Sequence, residues 1–545
     1  MSHERWLTCD IGTTIFTLAD ILRDEQGILE RPILSDVGLV VGTTLVVVEM
    51  KSLLTQLPAF QSHATTYNAC KLLLRTPAQK HPAASGGLVF CMENLPLQLF
   101  SDFLESPSLL NIWDKEAFLG KMGPREELSR QQFYSCIVKR AENLSNAARL
   151  LLIKMAILGR NHAANQHFCA AILMSTTGVS LFELKDAFDV AFFKQMSLLH
   201  LVFDFFDIEE LQARVLTAFA REGELLRAMP GYAPPIRVLS DIDDTLVHSG
   251  FGLGGPKFPK GTVLPGFAVV IESLRARVAF VTARPQFVAN MTYSTLSANY
   301  GIQKAVILCG KLSDSVLVPF SPGTANRLIS NRKFTNISQY KRCFPECNFF
   351  WFGDSGQGDI ITGEMMLALN ASNICGVYIQ DVVEKDGITF KTPPAKRTLL
   401  KEKGCLVVDN YLEVAIDLHQ RGFMDKTSLL RIAYAVAHQT RAVLSKMCNR
   451  PVAYSRAFEV EIQLQIVRSV FPEDILQLII PSLTTLMSSP IAGPAGLLSP
   501  PVVTSDAHAS DETGSWSVSV KSSQSPADEV DAMLAQLEAT TTSHL

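Results

Sequence analysis

The sequence predicts an α/β fold: a parallel sheet covered by helices on both faces, set between two mostly helical stretches. Three observations predict it. From Pro234-Pro235 onward, short apolar runs alternate with segments of helical spacing, the pattern of parallel strands joined by helical crossovers. Several of the runs are apolar at every position rather than at alternate ones, as strands are when both faces are buried. On either side, at 126–158, 181–227 and 399–486, apolar residues recur at helical spacing with charged residues between them.

Taken in order, residues 1–230 form a mostly helical N-terminal region. Within it the apolar run 37–48 suits either a strand or a helix. The α/β domain covers 231–398, with strands predicted at 236–240, 278–281, 305–308, 349–352 and 377–379. Helices are predicted at 267–277, 334–343 and 363–369. Residues 399–487 are read as a helical C-terminal region. Beyond Ser488 the composition turns to Ser, Pro, Thr and Ala, too little apolar surface to offset chain entropy, so 488–545 reads as a disordered tail. One piece of it, 528–538, places Val530, Met533, Leu534 and Leu537 on one helical face, as a docking peptide or a chance cluster.

With 545 residues, 47% of them hydrophobic, the chain can bury more than one core. The net charge of −4 is spread over mixed acids and bases, and no Lys/Arg block marks a nucleic-acid surface, so no nucleic-acid partner is expected. The 11 cysteines are scattered and form no CxxC, which argues against zinc and suits a reducing cytosol. The first ten residues lack the basic-then-apolar order of a signal peptide. The apolar stretches 37–48 and 150–158 fall short of the roughly 20 residues that span a bilayer. The expectation is a soluble, cytoplasmic protein, with peripheral membrane contact left open.

The chemistry is concentrated where apolar strands run into acids. Val238-Leu239-Ser240 leads into Asp241-Ile242-Asp243-Asp244-Thr245. Alternate residues of a strand share a face, so Asp241 and Asp243 are expected side by side. Adjacent carboxylates repel unless a cation neutralises them or one stays protonated. The run 349–352 likewise ends in Gly353-Asp354-Ser355-Gly356-Gln357-Gly358-Asp359, placing Asp354 and Asp359 at the same crevice. Oxygen donors without His or Cys suit a hard ion, Mg²⁺ before zinc or copper. Thr282, at the end of another strand, offers a hydroxyl, and Lys333, at the start of the helix 334–343, a positive charge for a phosphate. Each feature alone also reads as a turn, a cap or a loop; the order of acids, Thr, Lys and acids on successive element ends carries the signal.

These residues resemble the haloacid dehalogenase superfamily of phosphotransferases. Within it, the resemblance is to the catalytic domain of actin-patch-type phosphatidate phosphatases, relatives of the lipins. The strings that carry it are SDIDDTL (240–246), LPGF (264–267), VTARP (281–285), RKFTNISQYKRCFPE (332–346), FWFGDSGQGD (350–359) and GVYIQDV (376–382). The resemblance implies a Rossmannoid sheet, a magnesium cofactor and a phospholipid substrate, phosphatidate, cleaved to diacylglycerol and phosphate. It implies that Asp241 is the nucleophile and forms an aspartyl-phosphate, and that Asp243 is the acid and base. Thr282 and Lys333 would steady the phosphoryl oxygens. Asp241, Asp354, Asp359 and the backbone carbonyl of Asp243 would hold the metal. Asp244 and Thr245 would shape the turn.

The segment departs from the family at Phe267, at the glycine-rich loop 250–262 and at 308–312. These changes bear on the substrate rather than on the acids. The gaps before Pro265 and between Thr282 and Lys333 are too short for a large cap domain. An uncapped site suits a phosphate on a bulky carrier. Phe251, Lys257, Phe258 and Lys260 of the glycine-rich loop are read either as a membrane contact or as a solvated loop. Two other readings stay open: a phosphatase for a protein or soluble phosphate ester, and a silent lipid-binding or scaffold protein. The partners of the helical flanks are not legible.

Overall fold

The computed structural model describes residues 92–93, 95–105, 134–158, 162–190, 197–249, 257–285, 292–296, 305–310, 322–356 and 358–470. The apolar run 37–48, most of the loop 250–262 and the tail 488–545 with its segment 528–538 lie outside them. The chain divides into two compact units, one of residues up to Pro234 together with Ser338–Cys347, the other of Pro235–Ile337 and the chain from Asn348 onward.

The first unit is helical where it is described, as expected. It contains α1 (Leu97–Leu104), α2 (Asn146–Leu158), α3 (His162–Met174), α4 (Gly178–Val190) and α5 (Glu209–Ala228). The helical spacing over 181–227 is divided among several pieces, including a short helix at Leu198–His200 and a π-helical turn at Leu201–Phe205. Lys185 on α4 is buried and is held by Glu346 at 2.9 Å and by the carbonyl of Cys343 at 2.9 Å. Phe219 and Phe344 flank its ammonium. Removing one partner of a buried pair strands the other charge, so Lys185→Ala is expected to cost about 3–5 kcal/mol, read as a lowered thermal midpoint with the site chemistry unchanged.

The second unit is built on six parallel strands in the order β3-β2-β1-β4-β5-β6. They are β1 (Ile236–Ser240), β2 (Arg277–Pro285), β3 (Val306–Gly310), β4 (Asn348–Asp354), β5 (Ile374–Gln380) and β6 (Cys405–Val408). The helices are α6 (Phe267–Ser273), α7 (Pro322–Cys343, whose residues from Ser338 count with the first unit), α8 (Asp359–Ala368), α9 (Pro394–Glu402), α10 (Tyr411–Gln420), α11 (Lys426–Leu444) and α12 (Arg450–Val470). Alternation along β4 explains how both faces are filled. Phe350 and Phe352 join Val238, Phe280 and Tyr378 in a core with Phe267 and with α10, α11 and α12. Trp351, on the opposite face, meets Gly363 of α8 and Lys333 of α7.

All five predicted strands are present, and two readings are corrected. The stretch from 399 was expected to be helical throughout, with the α/β domain ending at 398. Cys405–Val408 is instead the sixth strand, paired with β5. Four residues are too few to carry a period of their own, and the helices on either side mask them. The helix predicted from 334 starts at Pro322, so Lys333 lies in its middle and not at its start. Gly323 and Asn326, which favour turns, concealed the first turns.

Candidate active site

The strand order reverses between β1 and β4, since β2 and β3 extend the sheet one way and β5 and β6 the other. In open α/β sheets ligands bind at such a switch point, beyond the carboxyl ends of the strands. Asp241 follows β1 directly, and its amide donates to the carbonyl of Phe352 at 2.9 Å, stitching it to β4. Asp354 is the last residue of β4 and Asp359 the first of α8. The loop between them turns at Gly358, whose φ is +84°. A β-carbon there would meet Ser330 Oγ at 2.5 Å and the Asn326 carbonyl at 2.7 Å, so α8 can start here only on a glycine.

Four of the sequence-predicted residues come together. Lys333 Nζ lies 2.6 Å from Asp359 Oδ1 and 3.2 Å from Asp241 Oδ1. Asp359 Oδ2 accepts from the Asp354 amide at 3.2 Å, and Asp354 Oδ1 accepts from the Gly356 amide at 2.5 Å. Asp241, Asp354 and Asp359 each place a carboxylate oxygen within 4.8 Å of the others, and all three are buried.

The electrostatics follow from that burial. Burial pushes Asp241 up to about 7; Lys333 pulls against it, and Asp359 and Asp243 add to it. Burial also raises Asp354 well above the usual carboxylate range, reinforced by Asp359 and Asp241. Asp359 is raised by burial despite the opposing Lys333. Lys333 loses by its own burial, but Asp241, Asp359 and Asp354 outweigh this and hold its proton more firmly than usual. Three carboxylates and one ammonium leave two negative charges without compensation. Asp354 Oδ2 is buried with no hydrogen-bond partner. An orphaned oxygen in an all-oxygen, net-negative cluster fits a hard divalent cation such as Mg²⁺.

The expected side-by-side pair Asp241–Asp243 is arranged differently. The strand ends at Ser240, and the chain turns through Asp244 with φ +55°. Asp243 is half-buried, and both its oxygens take Arg284 Nη2, at 2.8 and 3.0 Å. Its carboxylate therefore stands apart from the three-acid cluster, leaving only its backbone carbonyl for the metal role the resemblance implies. Asp244 shapes the turn: burial would raise it, but hydrogen bonds from His248 and Ser249 hold it below the usual carboxylate range. Thr282 is buried on β2, where its hydroxyl accepts from the Arg284 amide at 3.2 Å. Phe280 pairs with Ser240, so Thr282 lies level with the stretch that leaves β1. A cleft of about 170 Å³ opens beside Asp243, lined among others by His248, Lys260, Arg284 and Thr292.

Sequence reasoning missed two residues. Arg284 stands two positions after Thr282, the only cation in VTARP, and it is the partner of Asp243. Asp381, in the string GVYIQDV, directly follows β5. Its carboxylate accepts from Ser355 Oγ at 2.5 Å and from Thr392 Oγ1 at 2.9 Å and pairs with Arg397 at 2.7 Å. The signal for it was the one that marked Asp241: an acid at the end of an apolar strand. In the loop 250–262, Phe251 lies outside the described residues and Lys260 is exposed, whereas Lys257 and Phe258 differ from both readings given to them. Lys257 and Phe258 are buried, and Lys257 Nζ donates to the carbonyls of Asp381 at 3.0 Å and Asp409 at 2.6 Å; neither side chain is a solvated or membrane-facing group.

A parallel sheet wound both ways from β1 and β4, with buried acids at its switch point, is a Rossmann-like α/β fold. Residues 236–381 match the family model of the catalytic domain of phosphatidate phosphatase APP1, which is lipin-related. The match spans β1 to the end of β5 and suggests phosphatidate phosphatase activity. No curated protein and no solved structure matches the chain. Among the described residues, no helix is long and apolar enough to cross a membrane.

Proposed function

We propose that the protein is a Mg²⁺-dependent phosphatase that cleaves phosphatidate to diacylglycerol and phosphate through an aspartyl-phosphate on Asp241. The observation that carries this reading is the buried cluster of Asp241, Asp354, Asp359 and Lys333 at the switch point of the sheet. Asp241 attacks phosphorus, and an oxygen–phosphorus bond forms as the ester bond breaks. The departing diacylglycerol oxygen takes its proton from Asp243, which then accepts a proton from the water that attacks the aspartyl-phosphate. That second displacement releases phosphate and restores Asp241.

Lys333, at 3.2 Å from Asp241, lies where a phosphoryl group carried on Asp241 would meet its charge. Thr282 supplies a hydroxyl from the neighbouring strand. Asp241, Asp354, Asp359 and the Asp243 carbonyl would hold Mg²⁺, which when bound neutralises the acids and the phosphate charge. The cleft beside Asp243 receives the leaving group. The described cysteines are all free, which suits the cytoplasm as the working compartment.

Arg284 aims the Asp243 carboxylate. Arg284→Ala is expected to lower turnover by roughly ten- to a hundredfold through misplacement of the proton donor, with a smaller change in KM; Arg284→Lys should recover part of it. Steady-state kinetics on phosphatidate check this. The function itself is tested by phosphate release from phosphatidate in mixed micelles with Mg²⁺ or EDTA. Release that needs Mg²⁺ supports the reading, and its absence, with release from a phosphoprotein or soluble phosphate ester instead, overturns the substrate.

A further inference from the structure

Helix α12 buries one face and leaves a second apolar face uncovered. Ala453, Ala457, Val460, Leu464 and Val467 lie in the core with α10 and α11. Tyr454 and Phe458 are each 54% exposed, Ile462 42% and Ile466 40%. Residues four apart follow one line along a helix, so these four make a continuous stripe. Single exposed apolar residues are ordinary, whereas an aligned set marks a surface that another body covers.

Charge narrows what that body is. No exposed residue of α12 is acidic. Glu459 is turned to Arg456 at 2.6 Å, and buried Glu461 to Arg468 at 2.5 Å. Arg450, at the start of the helix, and Lys446, just before it, are exposed. The outward side of α12 itself offers apolar side chains and positive charge and no exposed carboxylate to repel an anionic surface.

Its position is tied to the site. Arg456 lies over the ring of Phe390, which Lys257 and Arg397 also flank. Lys257 is bonded to the main chain just past β5 and β6, and Asp381 holds Ser355, the residue after Asp354. A chain of direct contacts thus joins the first half of α12 to the edge of the sheet that carries the acids. Arg456 Nη2 also donates to the carbonyl of Ile388 at 3.3 Å; that loop carries the exposed acids Glu384 and Asp386, so the apolar surface is the stripe of α12 alone.

We propose that the stripe Tyr454, Phe458, Ile462 and Ile466 seats α12 in the surface of an anionic lipid bilayer, with the acid cluster brought to the phosphate headgroups. The inference rests on the lipid-phosphatase reading, because a phosphate ester with two acyl chains stays at the bilayer interface and the enzyme must come to it. An amphipathic helix lying in that plane sinks its apolar face roughly 5–10 Å and gains from nearby cations.

The test uses the full chain and two variants, Tyr454→Gln/Phe458→Gln and Ile462→Gln/Ile466→Gln. Each is sedimented with phosphatidylcholine vesicles containing phosphatidylserine, which is not a phosphate monoester and so reads the surface independently of the active site. The wild type should pellet with these vesicles and less with phosphatidylcholine alone. Each variant should lose about tenfold or more of that partitioning, with hydrolysis of a water-soluble short-chain phosphatidate unchanged. Variants that pellet like the wild type overturn the proposal. So does a wild type that self-associates without vesicles and variants that do not, since the stripe is then covered by a second copy. If the short-chain substrate is not cleaved but the variants still lose vesicle binding, the activity reading falls and the membrane-docking surface stands.

Discussion

Replacing Asp241 with asparagine is expected to lower phosphate release from phosphatidate by roughly 10⁴-fold or more, the scale seen when a nucleophile is removed, without unfolding the protein. The amide keeps the shape of the side chain, and Lys333 keeps Asp359 at 2.6 Å. Without metal, the change also removes one of three buried carboxylates that repel one another, so the thermal midpoint should not fall. Phosphate release and a thermal melt on the same preparation check both statements. Asp243→Asn supplies the complement. It should cost about 10²–10⁴-fold, and because the second displacement also needs this carboxylate, labelled phosphate should accumulate on the protein and be trapped by acid quench. Asp241→Asn should trap none. A folded Asp241→Asn protein that still turns over would remove Asp241 as the nucleophile.

Removing Mg²⁺ is expected to stop turnover and to make stability depend on pH in a specific direction. Burial, with Asp359 and Asp243, pushes Asp241 up to about 7, and Asp354 and Asp359 are raised as well. In the unfolded chain these groups titrate near 4. Between the two values the folded, metal-free protein binds more protons than the unfolded chain. Stability is therefore fully present below about pH 4 and is lost as the pH rises through about 7. For Asp241 alone the loss is of the order of a few kcal/mol. A bound divalent cation does the work of the missing protons, so Mg²⁺ should raise the thermal midpoint much more at about pH 8 than at about pH 5. Melts in EDTA and in Mg²⁺ at both pH values measure it. An equal shift at both would mean that the three acids do not form the metal site.

Much of the α/β unit was legible because its signals are local. An apolar run such as Phe349-Phe350-Trp351-Phe352 has few uses other than a strand covered on both faces, and an acid at its end has few uses in a core. Cys405–Val408 was not legible, since four residues between two helices carry too short a pattern to separate from their surroundings. The start of α7 at Pro322 was hidden because Gly323 and Asn326 in its first turns favour turns in sequence. In the site, Asp241, Asp354, Asp359 and Lys333 could be placed from order alone. Arg284 could not be, because nothing in VTARP says which acid the guanidinium will meet.

The sequence by itself determined which side chains exist to do chemistry and the strand ends on which they ride, because alternation and turn residues act over a few positions. Only the tertiary structure decided their partners. The reversal of strand order sets β1 beside β4, which brings Lys333 from the middle of α7 onto Asp241 and Asp359. The left-handed turn at Asp244 sends Asp243 to Arg284 instead of to its neighbour. The same is true of α12, whose apolar positions were visible as a helix but whose uncovered face exists only because α10 and α11 fill the other one. Burial, and with it the raised protonation of the three acids, is a property of that assembly, since a carboxylate loses water only when the rest of the chain closes over it.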